Sequence, residues 1–118
     1  MRQSSVKIAD NIDIATSFTS QGINLISIYA YSIQAVHSGT AAGTFKLQGS
    51  NDPGDNGSGQ GVSQPTNWTD ISDSPQAVSG AGSVLWDVTE CSYRWVRMIY
   101  TATSGTGTLN AIINTKGI

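Results

Sequence analysis

The sequence predicts an all-β chain folded as an antiparallel β-sandwich, of jelly-roll type, with seven or eight strands. Three observations predict it. Apolar residues recur mostly at every second position, helical spacing is hard to find, and the apolar runs are divided by turns rich in Gly, Ser, Asn and Pro. Many short strands joined in this way bury their apolar faces most simply as two packed antiparallel sheets. At 118 residues there is room for one core, so residues 11–118 are read as a single domain preceded by an N-terminal arm over residues 1–10.

Along the chain, Ile12, Ile14 and Phe18 open the alternation. The segment 22–36 is rich in Ile, Tyr and Val on both faces and reads as a central strand, buried on both sides or bent midway by a bulge. His37 begins a turn, and Phe45 and Leu47 point the same way in the next strand. Residues 51–66 then form a long loop with Gly54, Gly57, Gly59 and Gly61 between Pro53 and Pro65. Loops of that length are uncommon in compact domains and are often functional. A short strand at 68–71 follows, and then one at 83–88 in which Trp86 shares the phase of Val84 and Val88, the pattern of a core aromatic. The strand 93–101 carries large residues on both faces, and its face with Arg94 and Tyr100 is the candidate exposed contact. The turn Ser104-Gly105-Thr106-Gly107 is expected to join it to the strand 108–114 as a hairpin.

Composition narrows the function. Charged residues make up 12% of the chain and the formal charge is −2, with six basic residues scattered along the length. That distribution lacks the clustered cations that nucleic-acid binding needs, and no apolar run is long enough for a spanning helix, so neither nucleic acid nor membrane is an expected partner. No apolar stretch follows Arg2, so no secretory signal is read. A surface of hydroxyls and amides suits packing against other subunits, because such groups are more easily satisfied by a facing backbone than ions are.

Chemistry is hard to assemble from these residues. His37 is the only histidine and reads as a surface turn residue without a catalytic partner. Cys91 stands alone and reads as a small buried residue. The run 51–57 offers oxygen ligands that could hold calcium, yet it lacks EF-hand spacing and its terminal glutamate, so a turn loop that binds no metal is preferred. Gly105 and Gly107 precede no helix and make no phosphate loop. The expectation is therefore a protein that is not an enzyme, with no cofactor. Its candidate interaction loop is Asp52, Asp55, Asn56, Gln60 and Trp68.

Three segments carry a resemblance: Gly43-Thr44-Phe45-Lys46-Leu47-Gln48-Gly49-Ser50-Asn51-Asp52, then Trp68-Thr69-Asp70-Ile71, then the strand from Tyr93 to Tyr100. In order and spacing they resemble the discoidin, or coagulation-factor type C, sandwich. With Tyr-Thr-x-Thr-Ser-Gly-Thr-Gly-Thr-Leu-Asn at 100–110 and a closing Lys116, they resemble still more a group of small tailed-phage virion proteins. The likeness covers residues 43–116. Discoidin domains usually carry paired cysteines, and Cys91 is single here, so only the sandwich carries over from them. The phage resemblance implies a virion component, such as a capsid decoration or head or tail fibre protein. It would work as a homo-oligomer, dimer or trimer, with partners such as the major capsid protein. A carbohydrate-binding module for a host glycan is the alternative.

Overall fold

A computed structural model describes residues 2–52 and 65–117. Asp55, Asn56 and Gln60 of the expected interaction loop lie outside the described residues. Ten strands are formed among the described residues: β1 (Arg2–Asp13), β2 (Phe18–Thr19), β3 (Ile23–Asn24), β4 (Ile28–His37), β5 (Ala42–Ser50), β6 (Thr69–Asp70), β7 (Gln76–Ser79), β8 (Gly82–Val88), β9 (Trp95–Ser104) and β10 (Thr108–Gly117). They make two antiparallel sheets. The first is ordered β1-β10-β4-β8; the second is β2-β9-β5-β6, with β3 also on β9 and β7 also on β5. There is no helix among the described residues.

Alternation explains how the sheets face one another. Ile33 and Ala35 of β4, Leu109, Ala111 and Ile113 of β10, Phe45 and Leu47 of β5, and Val96, Met98 and Tyr100 of β9 are all buried in one core. Register puts Ala9, Ala111 and Ala35 side by side on the inner face of the first sheet. That row of small side chains is complemented by the bulky Phe45, Met98 and Tyr100 of the second, as dense interior packing requires.

Four expectations are corrected. Of the expected arm over residues 1–10, residues 2–10 are not free: β1 pairs with β10 from Arg2↔Gly117 to Asp13↔Thr108 as an edge strand, interrupted by bulges after Lys7 and Ala9. Its polar outward positions, Ser5 and Lys7, hid the pattern. The segment 22–36 is not one strand. The Asn24 side chain accepts the Ile26 amide at 2.9 Å, the Leu25 carbonyl accepts the Ile28 amide at 3.0 Å, and Ser27 takes a left-handed φ of 62°. This Asx-type turn carries the chain from β3 in the second sheet to β4 in the first.

β9 and β10 are not a hairpin either, since they belong to different sheets. Residues 105–107 cross the sandwich beside residues 38–41, which make the opposite crossing from β4 to β5. The two links are laced together, Thr106 accepting the Thr40 amide at 2.8 Å and Thr108 accepting the Ser38 amide at 3.0 Å through their carbonyls. Finally, His37 is buried at the end of β4 with its ring against Phe45. Its Nδ1 lies 2.7 Å from the Gly80 carbonyl, which can only accept, so Nδ1 donates there, and the buried Nε2 has no hydrogen-bond partner among the described residues.

Candidate functional site

The described ends of the long loop meet at Asp52. Its Oδ2 accepts the backbone amides of Thr66 and Asn67, both at 2.8 Å, and the Asn67 side-chain amide at 3.2 Å. Its carbonyl accepts the Trp95 indole N–H at 3.0 Å. An Asp is suited to this position because a charged short side chain can take several amides at once. The backbone bond from Asn67, then its side chain and the Thr66 amide, hold the Asp52 carboxyl below its ordinary value. Such a group steadies the folded loop base at pH above the ordinary carboxylate value, and the effect is lost as pH falls through the lowered one. In Asp52→Ala, the protection of the Thr66 and Asn67 amides against hydrogen exchange should fall at neutral pH by about tenfold, with little change in the strands. Unchanged protection would remove the clamp.

Beside this clamp lies an open hollow of about 510 Å3, lined by Asn51, Asp52, Asn67, Asp70 and Tyr93 among others. Tyr93 bonds through its hydroxyl to the Tyr31 hydroxyl, and the two rings meet edge to face with centroids 6.3 Å apart. Burial, and then the bond to Tyr93, raise the Tyr31 phenol far above its ordinary value, so it is neutral at any physiological pH. The pair ties β4 in the first sheet to the segment entering β9.

The outward face of the second sheet carries a continuous polar network. Arg97 stacks over the Trp68 ring with its Cζ 4.3 Å from the centroid, and its Nε donates to Gln48 Oε1 at 2.9 Å. Gln48 in turn donates to Asp70 at 2.8 Å, and Lys46 Nζ lies 3.1 Å from the same carboxylate. The Gln48 and Lys46 contacts lower the Asp70 carboxyl. Lys46 is thus spent on Asp70, while the half-buried Arg97 is held by the Trp68 ring and the Gln48 amide oxygen.

The expected contact face with Arg94 and Tyr100 is a correction. Along β9 the core side is Val96, Met98 and Tyr100, and Tyr100 is 0% exposed with its ring centroid 4.7 Å from that of Phe45. Arg94 precedes the strand and is half-buried, its backbone amide shared between the Ser50 carbonyl and the Asn51 side chain. The outward residue is Arg97. Two phases were open because both carry large residues, and Trp95, buried at the strand end under Asp52, imitates a core position. The buried Tyr100 hydroxyl has no partner among the described residues. Tyr100→Phe should therefore cost nothing, or stabilise by up to about 1 kcal/mol in urea unfolding, because an unsatisfied polar atom is removed. A loss above about 1 kcal/mol would mean that the hydroxyl is bonded.

Trp68, expected in the interaction loop, is half-buried, with one ring face under Arg97 and its N–H on the Pro65 carbonyl at 3.0 Å. Trp86 and Trp95 are buried. Cys91 is half-buried against the core, and burial raises its thiol above the ordinary value. Among the described residues no group of three His, Cys, Asp or Glu could hold a metal ion.

No family model matches the chain, and no curated protein is similar to it. Among solved structures it is similar to the SPBc2 prophage-derived protein YomS, at 11% identity, covering 96% of this chain and 93% of that one with a TM-score of 0.53. Looser likenesses, too loose to bear an argument, are to infectious bursal disease virus Gx strain (10% identity, 98% of this chain, 32% of that one, TM-score 0.48) and to the Bacillus endospore appendages that form disulfide-linked pili (19%, 100%, 93%, 0.44). The chain thus shares an all-β sandwich with a prophage-derived protein over nearly the whole of both.

Proposed function

We propose that the chain is a non-enzymatic structural component of a phage particle, a capsid decoration or head or tail fibre protein. It acts on or in the virion through contacts with its own copies and with other particle proteins such as the major capsid protein. The observation that carries this reading is the end-to-end likeness in fold to a prophage-derived protein. The surface supports it. On the second sheet Lys46, Gln48, Asp70 and Arg97 are engaged with one another, which leaves that face little free charge to offer a small ligand. A glycan-binding reading has less to rest on, since Trp86 and Trp95 are buried and Arg97 occupies one face of Trp68.

Quantitative mass spectrometry of particles purified from the organism that encodes the chain tests the proposal. The chain should be present at a fixed ratio to the major capsid protein and survive repeated density-gradient purification. Its absence from purified particles would overturn the reading.

A further inference from the structure

The two outward faces of the sandwich differ in character. That of the second sheet is the satisfied network of Lys46, Gln48, Asp70 and Arg97. That of the first sheet carries Val36, Leu85 and Ile112, which are 49%, 63% and 42% exposed and are three of the five exposed large hydrophobic residues among those described. We propose that this face docks a second copy of the chain, sheet upon sheet, about a two-fold axis lying in the face, parallel to the strands and between β4 and β10. The proposal rests on the reading that the chain works through contacts between its own copies.

Strand register carries the argument. One row across the sheet reads Leu85, Gln34, Ile112 and Lys7, from β8 through β4 and β10 to β1. Apolar and polar side chains alternate along it. The proposed axis exchanges β8 with β1 and β4 with β10, so Ile112 of each copy drops over Gln34 of the other, between that copy's Leu85 and Ile112. The row across the interface then becomes Leu85, the facing Ile112, Ile112 and the facing Leu85, an unbroken apolar strip made from two broken ones. In the next row Val36 lies beside Asn110 and Ser83, and the same operation brings the two Val36 side chains next to each other.

Charge favours the same axis. The β1 and β10 side of the face carries Lys116 and Lys7, the latter paired within its own chain with Asp10 at 2.9 Å, and the β8 side carries Asp87. The operation sets Asp87 over Ser5 of the facing copy, flanked there by Lys7 and Lys116. A two-fold perpendicular to the strands through the same row would instead set Lys7 over Lys7. Asp87 and Lys116 also line a shallow hollow of about 230 Å3, which leaves room for water around the charged contacts. Four strands at about 4.8 Å spacing and a shared length of about seven residues give a footprint on the order of 450 Å2 per copy. That is below the roughly 800 Å2 per partner of a stable complex, so the isolated dimer is expected to be weak, with a dissociation constant on the order of 100 µM.

Sedimentation equilibrium of the chain from about 10 µM to 1 mM, with circular dichroism to confirm folding, tests this. Dimers should form, and Leu85→Lys and Ile112→Lys should each weaken them by about tenfold or more, because each places a cation in the apolar strip. Lys46→Glu, on the other sheet, should leave association unchanged. Asp87→Lys should weaken it, and adding Lys7→Asp should recover part of the loss. A strict monomer at 1 mM would overturn the proposal. So would a dimer that tolerates Leu85→Lys but is broken by Val6→Lys, which would assign pairing to the β1 edge. A chain that dimerises through Leu85 but is absent from particles would overturn only the particle reading, and one that is present in particles but monomeric in solution only the docking face.

Discussion

Gly105→Ala should lower the unfolding free energy by about 3–4 kcal/mol, whereas Gly80→Ala should lower it by only about 1–2 kcal/mol. Both glycines sit at φ +81°, so both substitutions carry the same left-handed backbone penalty. They differ in what a side chain would meet. At Gly80 nothing lies within 4 Å, while at Gly105 a Cβ would lie 2.1 Å from the Thr40 carbonyl oxygen, 2.7 Å from its carbon and 3.0 Å from Ala41 Cα. All three are backbone atoms of the neighbouring crossing, and they cannot swing aside as a side chain could. Relief would have to part residues 38–41 from residues 105–107, breaking the bonds that lace the two crossings. Total stability for a domain of this length is roughly 6–18 kcal/mol, so the loss should be plain in urea unfolding. Equal losses at the two positions would show that the crossings have slack.

The same corner marks where the sequence stopped being legible. Period-two alternation identified the class and nearly every core strand, because a half-buried sheet imposes it residue by residue. It set Phe45 and Leu47 on one face and Trp86 in the core, and all three are buried. What alternation does not encode is which sheet a strand joins. The glycine turn at 105–107 has the composition of a hairpin turn and is a crossing, and Asn24 and Ser27 divide a run that looks continuous. On the functional side, Asp52 was legible as an acid in a glycine-rich loop, but its partners Thr66 and Asn67 are fourteen and fifteen residues away and could not be paired with it by spacing. Arg97 was missed as the outward cation of β9 because phase had to be chosen between two rows of large side chains. The apolar row of Leu85 and Ile112 was invisible for a related reason. Each residue looks like an isolated exposed aliphatic until strand register sets them in one line.

Phe45→Ala is expected to cost about 3–5 kcal/mol, and the way that cost is shared locates what holds the two sheets together. Phe45 is 0% exposed on β5 in the second sheet. Its ring centroid lies 6.1 Å from Trp86 at an interplanar angle of 74°, and 5.8 Å from His37, both of which belong to the first sheet. It also lies 4.7 Å from Tyr100 in its own sheet. Trp86 is held in turn by its indole N–H, which donates to the Ser74 carbonyl at 2.8 Å, while the Ser74 hydroxyl donates to the Ile71 carbonyl at 2.7 Å. Phe45 is therefore an aromatic bridge across the sandwich, and deleting it opens a cavity that the rigid Trp86 cannot move to fill. A double-mutant cycle separates this bridge from simple area loss. With Phe45→Leu and Trp86→Leu, the edge-to-face contact predicts that the double mutant loses about 0.5–1.5 kcal/mol less than the sum of the two single losses. Zero coupling would mean that the two rings share a core without supporting each other.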